Sequence, residues 1–298
     1  KRHEPAGRLL FCPTVYCGRM ATPSVRDSAY LREIGEKLHP GIEFLWTGPH
    51  IVSEVIPARS IRELNQVIRR KPIVWDNLHA NDYDSRRLYL GPYTGREPAL
   101  REEIGGVLLN PNCQFEANFM PILTLGAWCR SVRADAGRVA HGKAVAAWLP
   151  AFASRGRKAI EAGDIALFRD FFYLPGELGV RAQRYLADFT SLLRASPDRW
   201  GAGWRRFRRT SRQIVSFYDK LSAIEDRDLL YALYPHVWEL KETVLLLMAW
   251  AEWRRRAPSA TARFRSPDYR PGVFRGGLAA AVDRLLPMDA AGRFVPAG

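Results

Sequence analysis

The sequence predicts an α/β fold followed by an all-α region, and three observations lead there. Four short apolar runs in the first ~135 residues alternate with helical patterns, which is how parallel β/α units read. Each run leaves through a polar, Gly-, Pro- or Asn-containing exit. Beyond Val139 the strand signals stop, and Trp, Leu and Phe recur at helical spacing instead.

Taken in order, Arg8-Leu-Leu-Phe-Cys-Pro13 is a strand ending in Thr14-Val-Tyr-Cys-Gly18. Residues 28–38 form a helix. Ile42-Glu-Phe-Leu-Trp46 is a strand ending in Thr47-Gly48-Pro49. Residues 60–71 form a helix with Ser60 as N-cap and Glu63 completing a capping box. Ile73-Val-Trp75 is a strand, Gly106-Val-Leu-Leu109 is another ending in Asn110-Pro-Asn-Cys113, and residues 119–133 are helical. Parallel strands joined by helices fit a (β/α)8 barrel, whose ligands bind at the C-terminal strand ends. A whole barrel takes ~250 residues, so this segment is either a small open sheet or part of a larger barrel.

In the second region, 140–153, 164–172, 179–193, 204–221 and 229–255 read as amphipathic helices. Pro175-Gly176, Ser196-Pro197 and Pro235 are the expected breaks. Together they make an α-helical bundle, closed by a turn and short helix from Phe274-Arg-Gly-Gly-Leu278 to Arg284-Leu-Leu-Pro287. The expected division is therefore 1–135 and 136–298.

Composition narrows the function classes. With 47% hydrophobic residues in 298, a sizeable core is available. The 45 Lys and Arg against 31 Asp and Glu leave a net charge of +14. That balance first suggests nucleic acid or an anionic surface. Scattered Arg covering helix faces is the favoured explanation, because the Arg residues are spread along the expected helices. Trp204-Arg-Arg-Phe-Arg-Arg209 and Trp253-Arg-Arg-Arg256 interleave aromatic and basic residues as nucleic-acid grooves do. On amphipathic helices the aromatics turn to the core, so a nucleic-acid partner is not expected. The four cysteines have neither zinc-ligand spacing nor a disulfide framework, and His141 and His236 stand alone. No metal or organic cofactor is expected. Val244–Ala249, the longest apolar run, is too short to span a bilayer, and a cytoplasmic location is expected.

The stretch Trp75-Asp-Asn-Leu-His-Ala-Asn-Asp-Tyr-Asp84 carries the chemistry. Sugars want carboxylate and amide partners for their hydroxyls and an aromatic ring for their C–H faces. Asp82 suits a pair of hydroxyls, Asn77 donates and accepts, and Trp75 offers an apolar wall. Tyr16, Trp46-Thr47-Gly48 and Asn110 to Asn112 leave the other strands and would converge on the same mouth. The competing reading makes Asp76, Asn81 and Asp84 turn and helix caps. Spacing alone leaves both open.

Several blocks carry a resemblance. Leu10-Phe-Cys-Pro-Thr-Val-Tyr-Cys-Gly18, Leu45-Trp-Thr-Gly-Pro49, the Trp75 to Asp84 stretch, Leu90-Gly-Pro-Tyr93 and Asn110-Pro-Asn-Cys-Gln-Phe-Glu-Ala-Asn118 resemble the catalytic barrel of glycoside hydrolase family 84. That family comprises β-N-acetylglucosaminidases of the O-GlcNAcase type. Phe172-Tyr-Leu-Pro175, Phe274-Arg-Gly-Gly-Leu-Ala279, Arg284-Leu-Leu-Pro287 and Asp289 resemble the helical stalk of its animal members.

The resemblance implies the C-terminal half of a (β/α)8 barrel followed by a stalk-like bundle. It implies that Tyr16 hydrogen-bonds the substrate's N-acetyl group and that Trp75 lines the acetamido pocket. Asn77 would contact the acetamido group and orient a reacting carboxylate. Asp82 would bind the outer hydroxyls with help from Asn110, and Ile51 would face the leaving group. His79, Asn81 and Cys12 would be scaffold.

The family's hydrolysis is substrate-assisted, through an oxazoline, and needs two consecutive aspartates. This sequence contains no Asp-Asp. The catalytic pair is expected upstream of residue 1, on the other half of the barrel, so no catalytic residue is assigned here. The expected partners are an N-acetylglucosamine-bearing protein or glycan, that upstream segment, and a second copy through apolar positions around Trp238, Trp250 and Trp253. A non-catalytic carbohydrate-binding protein is the alternative, and a basic nucleic-acid-binding helical protein the more remote one.

Overall fold

The computed structural model describes residues 7–84, 86–155, 159–256, 263–266, 269 and 277–297. Phe274, Arg275 and Gly276 of the expected closing turn lie outside them. Four strands, β1 (Leu9–Phe11), β2 (Ile42–Trp46), β3 (Ile73–Asp76) and β4 (Gly106–Leu109), form one parallel sheet in the order β1-β2-β3-β4. Phe11 pairs with Phe44, Trp46 with Val74 and Asp76 with Leu109. Sequence order equals spatial order, as right-handed β/α units stacked side by side require. Phe44, Leu45, Trp46, Ile73 and Val74 are buried, which is why the end of β2 and the start of β3 read as continuous apolar runs rather than alternating ones.

The connecting helices are α1 (Ala29–Lys37) and α2 (Ala58–Ile68), with a single turn, α3 (Leu100–Glu103), before β4. Ser28 caps α1 by accepting from the Leu31 amide at 3.4 Å. Gly35 lets α1 sit against α2, because a Cβ there would lie 2.2 Å from the Val67 carbonyl. The helix expected to begin at Ser60 begins earlier, at Ala58 behind Pro57. Pro57 presets the backbone for a helix start, and the Ser60 hydroxyl donates to the Pro57 carbonyl at 2.7 Å instead of capping. No capping box forms; Glu63 faces Arg26 at 3.9 Å. Further along are α4 (Phe119–Arg130) and α5 (Ala136–Trp148).

The remaining elements are helical: α6 (Ala162–Phe171), α7 (Val180–Arg194), α8 (Gly201–Leu221), α9 (Arg227–Arg256) and α10 (Leu278–Leu285). Their core is aromatic. Phe168 meets Phe217 at 5.2 Å, Tyr185 meets Phe207 at 5.0 Å and Phe189 meets Trp250 at 5.5 Å. Asp164 serves twice, closing a capping box with Glu161 at the start of α6 and pairing with Lys220 of α8 at 2.7 Å. Pro235 does not break the chain but lies inside α9. Its missing N–H would have bonded the Tyr231 carbonyl one turn back. Tyr231 is on the exposed side of α9, and the burial of Leu233, His236 and Val237 on either side of Pro235 carries the helix through. Of the positions expected to form an apolar surface, Trp238, Trp250 and Trp253, two rings are engaged within the helical unit. Trp250 is only 2% exposed, and Trp253 packs 5.5 Å from Phe264.

The chain divides into two compact units. One comprises Lys1–Ala80, Pro92–Pro111 and Pro121–His141, the other Asn81–Gly91, Asn112–Met120 and Gly142–Gly298. The first holds the whole parallel sheet. Among the described residues no helix is long and apolar enough to cross a membrane.

Candidate functional site

The site begins at the last residue of β3. Asp76 is completely buried, and an ionised carboxylate there must find a cation or several donors. It finds both. Arg96 forks onto it, with Nε 2.7 Å from Oδ2 and Nη2 2.6 Å from Oδ1. The Tyr93 hydroxyl donates to Oδ2 at 2.7 Å and the Leu78 amide to Oδ1 at 3.1 Å. Burial pushes the Asp76 carboxyl up, but the charge and hydrogen bonds of Arg96, with those of Tyr93 and Leu78, outweigh it and hold Asp76 below the usual carboxylate range. Burial beside the carboxylate drives the Tyr93 hydroxyl well above its ordinary value, keeping it a proton donor.

Arg96 does more than neutralise. Its guanidinium also donates to the carbonyls of Ser53, Glu54 and Thr94, each at 2.8 Å. It therefore locks the segment after β2 to the end of β3. Gly48 starts that segment at φ +99, where a Cβ would lie 2.7 Å from the Ser53 hydroxyl oxygen. The segment carries Ile51, whose carbonyl accepts from Asn77 Nδ2 at 2.7 Å. Asn77 Oδ1 in turn accepts from Asn110 Nδ2 at 3.1 Å, and the Asn110 amide donates to the Asp76 carbonyl at 2.9 Å. Ile51, Asn77 and Asn110, from three successive strand exits, thus form one hydrogen-bonded chain. A primary amide has two N–H donors and two oxygen lone pairs, so both asparagines keep an N–H and a lone pair for a ligand.

Tyr16 joins through its backbone. Its carbonyl accepts from the Thr47 amide at 2.9 Å and hydroxyl at 3.2 Å. The same hydroxyl reaches the His50 carbonyl at 2.8 Å, next to Ile51. Trp75 precedes Asp76 on β3 and is the exposed residue of that strand, at 37%. Aromatic exposure at the mouth of an otherwise buried strand leaves a ring available for stacking. Asp82 belongs to the second unit, where it is exposed and, among the described residues, accepts no hydrogen bond on its carboxylate.

Other polar residues of these motifs turn out to be structural. Asp76 is an ion-pair partner, not only a turn former. Asn81 is buried, donating to the Arg87 carbonyl and Gln114 and accepting from the Cys113 amide, each at 2.7 Å. Asn112, grouped with Asn110 by sequence, is spent on Tyr89 and Asn118. Asp84 is held by Arg86 and Arg87, whose hydrogen bonds place it well below the usual carboxylate range. Neither Arg96 nor Tyr93 carries a role that the sequence alone marks. The available signal was an aspartate ending an apolar strand, which requires a cation that the sequence does not point to. Among the described residues, no cluster of three or more His, Cys, Asp or Glu could hold a metal ion.

Comparison with known proteins sharpens this picture. The profile of the NAGidase family, beta-N-acetylglucosaminidase, matches residues 1–158, just over half of the chain. The chain is 59% identical over 123 residues to the protein O-GlcNAcase of Rattus norvegicus and 58% identical over 123 residues to that of Mus musculus. Each match takes in 41% of this chain and 13% of the relative, so the chain spans only a small part of those proteins' length. A solved structure of a mutant O-GlcNAc hydrolase from Thermobaculum terrenum shares the fold, with a TM-score of 0.69 at 22% identity over 84% of this chain and 52% of that one. The family match lies on the region that contains all four strand exits and the Ile51–Asn77–Asn110 chain. This chain belongs to the beta-N-acetylglucosaminidase family.

Proposed function

We propose that the chain supplies the sugar-binding face of a β-N-acetylglucosaminidase of the O-GlcNAcase type, hydrolysing terminal β-linked N-acetylglucosamine, including that on Ser or Thr of proteins. The observation that carries the reading is the amide chain of Ile51, Asn77 and Asn110, with an exposed Trp75 two residues before Asn77 on the same strand exit. An acetamido group has one N–H, one carbonyl and a methyl, and the spare donors and acceptors of two asparagines beside an indole suit all three.

In this reading Tyr16 and Asn77 hold the N-acetyl group, Trp75 walls its pocket, Asp82 and Asn110 take the outer hydroxyls, and Ile51 faces the leaving group. The four β/α units are half of a (β/α)8 barrel, over 1–135, and 136–298 is a stalk-like bundle. Hydrolysis is substrate-assisted, one of the exceptions to the two-carboxylate scheme. One carboxylate polarises the acetamido group, whose oxygen attacks the anomeric carbon to give an oxazoline. A second protonates the leaving oxygen and then activates water. Those two carboxylates come from a segment other than these 298 residues, and Asn77 helps orient the first. Pairing of two copies through the helical region and a cytoplasmic location, in keeping with four free thiols, belong to the same proposal.

The test is hydrolysis of an aryl N-acetylglucosaminide by the whole protein. Removing a charge-assisted or buried hydrogen bond to substrate costs about 1.5–3 kcal/mol, so Asp82→Ala and Asn77→Ala should each lower kcat/KM by roughly ten- to a hundredfold. Unchanged turnover in both variants would refute the assignment.

A further inference from the structure

The arginines of α8 do something the sugar site does not use. At 3.6 residues per turn, Arg205, Arg208, Arg209 and Arg212 fall within an arc of about 100°. Phe207, Ser211, Ile214, Phe217 and Leu221 occupy the opposite side and are buried. All four arginines are exposed. Among the described residues none pairs with a carboxylate, whereas their neighbour Arg206, off the stripe, is bound to Asp188 with Nε at 3.1 Å. The first acid on the stripe, Asp219, is seven residues beyond Arg212, about two turns away. Four uncompensated guanidiniums in one row create a local positive field.

We propose that this arginine stripe is a docking surface for acidic segments of polypeptide. Charge complementarity requires an anionic partner, and a second copy of a chain with net charge +14 is not one. The aromatics that would make the helix a nucleic-acid platform are turned away. Phe207 is fully buried, and Trp204 stacks on Phe207 and packs at a tilt against Trp200, with Arg255 over its ring. No base can stack there. The row runs only about 10 Å, from 1.5 Å per residue. That offers four charges where duplex binders commonly neutralise about 6–10 phosphates. A membrane surface is disfavoured as well, since the apolar side of α8 is already buried in the helical core and cannot enter lipid. Carboxylates fit instead. Guanidinium forks take them two hydrogen bonds at a time. Same-face side chains of an extended peptide repeat every ~6.6 Å, close to the rise of about 6 Å that separates Arg205 from Arg209 and Arg208 from Arg212. The surface would recruit polypeptides whose acidic stretches dock on α8, independently of any sugar they carry.

A fluorescein-labelled Glu/Ser peptide, titrated into the whole protein at low and physiological salt, tests this. The protein should bind it, more weakly as salt rises. Changing Arg205, Arg208, Arg209 and Arg212 together to Gln should weaken binding at least about tenfold, while changing the same four to Lys should retain most of it. Hydrolysis of an aryl N-acetylglucosaminide should be the same in all three proteins, which separates this inference from the sugar-site reading. Absence of binding by the unmodified protein, equal binding by the Gln variant, or a random DNA duplex that binds more tightly than the peptide would overturn the proposal.

Discussion

A carboxylate sealed at the end of β3 obliges the chain to bring a cation to it, and Arg96 arrives from twenty residues downstream. This one residue fixes three things: the charge of Asp76, the segment that carries Ile51, and through both the orientation of Asn77. Replacing a buried pair by apolar groups can be neutral, but stranding one partner costs about 3–5 kcal/mol. Arg96→Met should therefore lower the unfolding free energy by about that much, and Tyr93→Phe by about 1 kcal/mol, read from urea or thermal unfolding. Equal stability in Arg96→Met would mean that Asp76 is neutral in the fold. Asp76 is held low, so its contribution is complete above the unfolded carboxylate value near ~3.9 and disappears as pH falls through the folded one. At this scale, residue type and motif mark Trp75, Asn77, Asn110 and Asp82 as the proposed sugar-binding set. Asp76 is not legible in this way, because an aspartate after a strand reads equally as a turn former or as half of an ion pair. Only the fold says which side of the strand it faces.

Elements were legible where a local signal marks them. Ser28 announces α1, and β2 and β4 fall where their apolar runs stop. Errors arose where two local signals compete or where packing overrides one. Ser60 looks like a cap, but Pro57 starts the helix before it. Pro235 looks like a break, but α9 passes through it because Leu233, His236 and Val237 around it are buried. Proline inside a helix is about 3 kcal/mol less favourable than alanine. Part of that is recovered from its stiffer unfolded chain. Pro235→Ala should thus raise the unfolding free energy by about 1–2 kcal/mol in a denaturant titration. A loss of stability would show that Pro235 is needed to shape α9.

For the whole molecule, the parallel β/α units and the helical second half follow from pattern, while the strand order β1-β2-β3-β4 comes from the structure. The interleaving of the two compact units does not follow from pattern either, since short segments such as Asn81–Gly91 have no periodicity to mark them. The helical unit also contains a pH-sensitive core residue. His236 is buried, with its ring 5.7 Å from Phe172, and burial lowers it from 6.5 to about 4. The fold prefers the neutral ring, so its contribution is complete above the unfolded value near ~6.5 and is lost as pH falls from there towards about 4. The helical unit should lose on the order of 3 kcal/mol across that window. His236→Phe should flatten the dependence of melting temperature on pH there, and an equally steep dependence would exclude His236 as its origin.

The central claim is that the strand exits recognise an acetamido sugar through Asn77. It is tested most directly by comparing the affinity of the whole protein for N-acetylglucosamine and for glucose, in the natural sequence and in Asn77→Ala. The natural protein should prefer N-acetylglucosamine, and the variant should lose about ten- to a hundredfold of that preference, the worth of one or two buried hydrogen bonds. Equal affinity for the two sugars, or a preference untouched by Asn77→Ala, would contradict it.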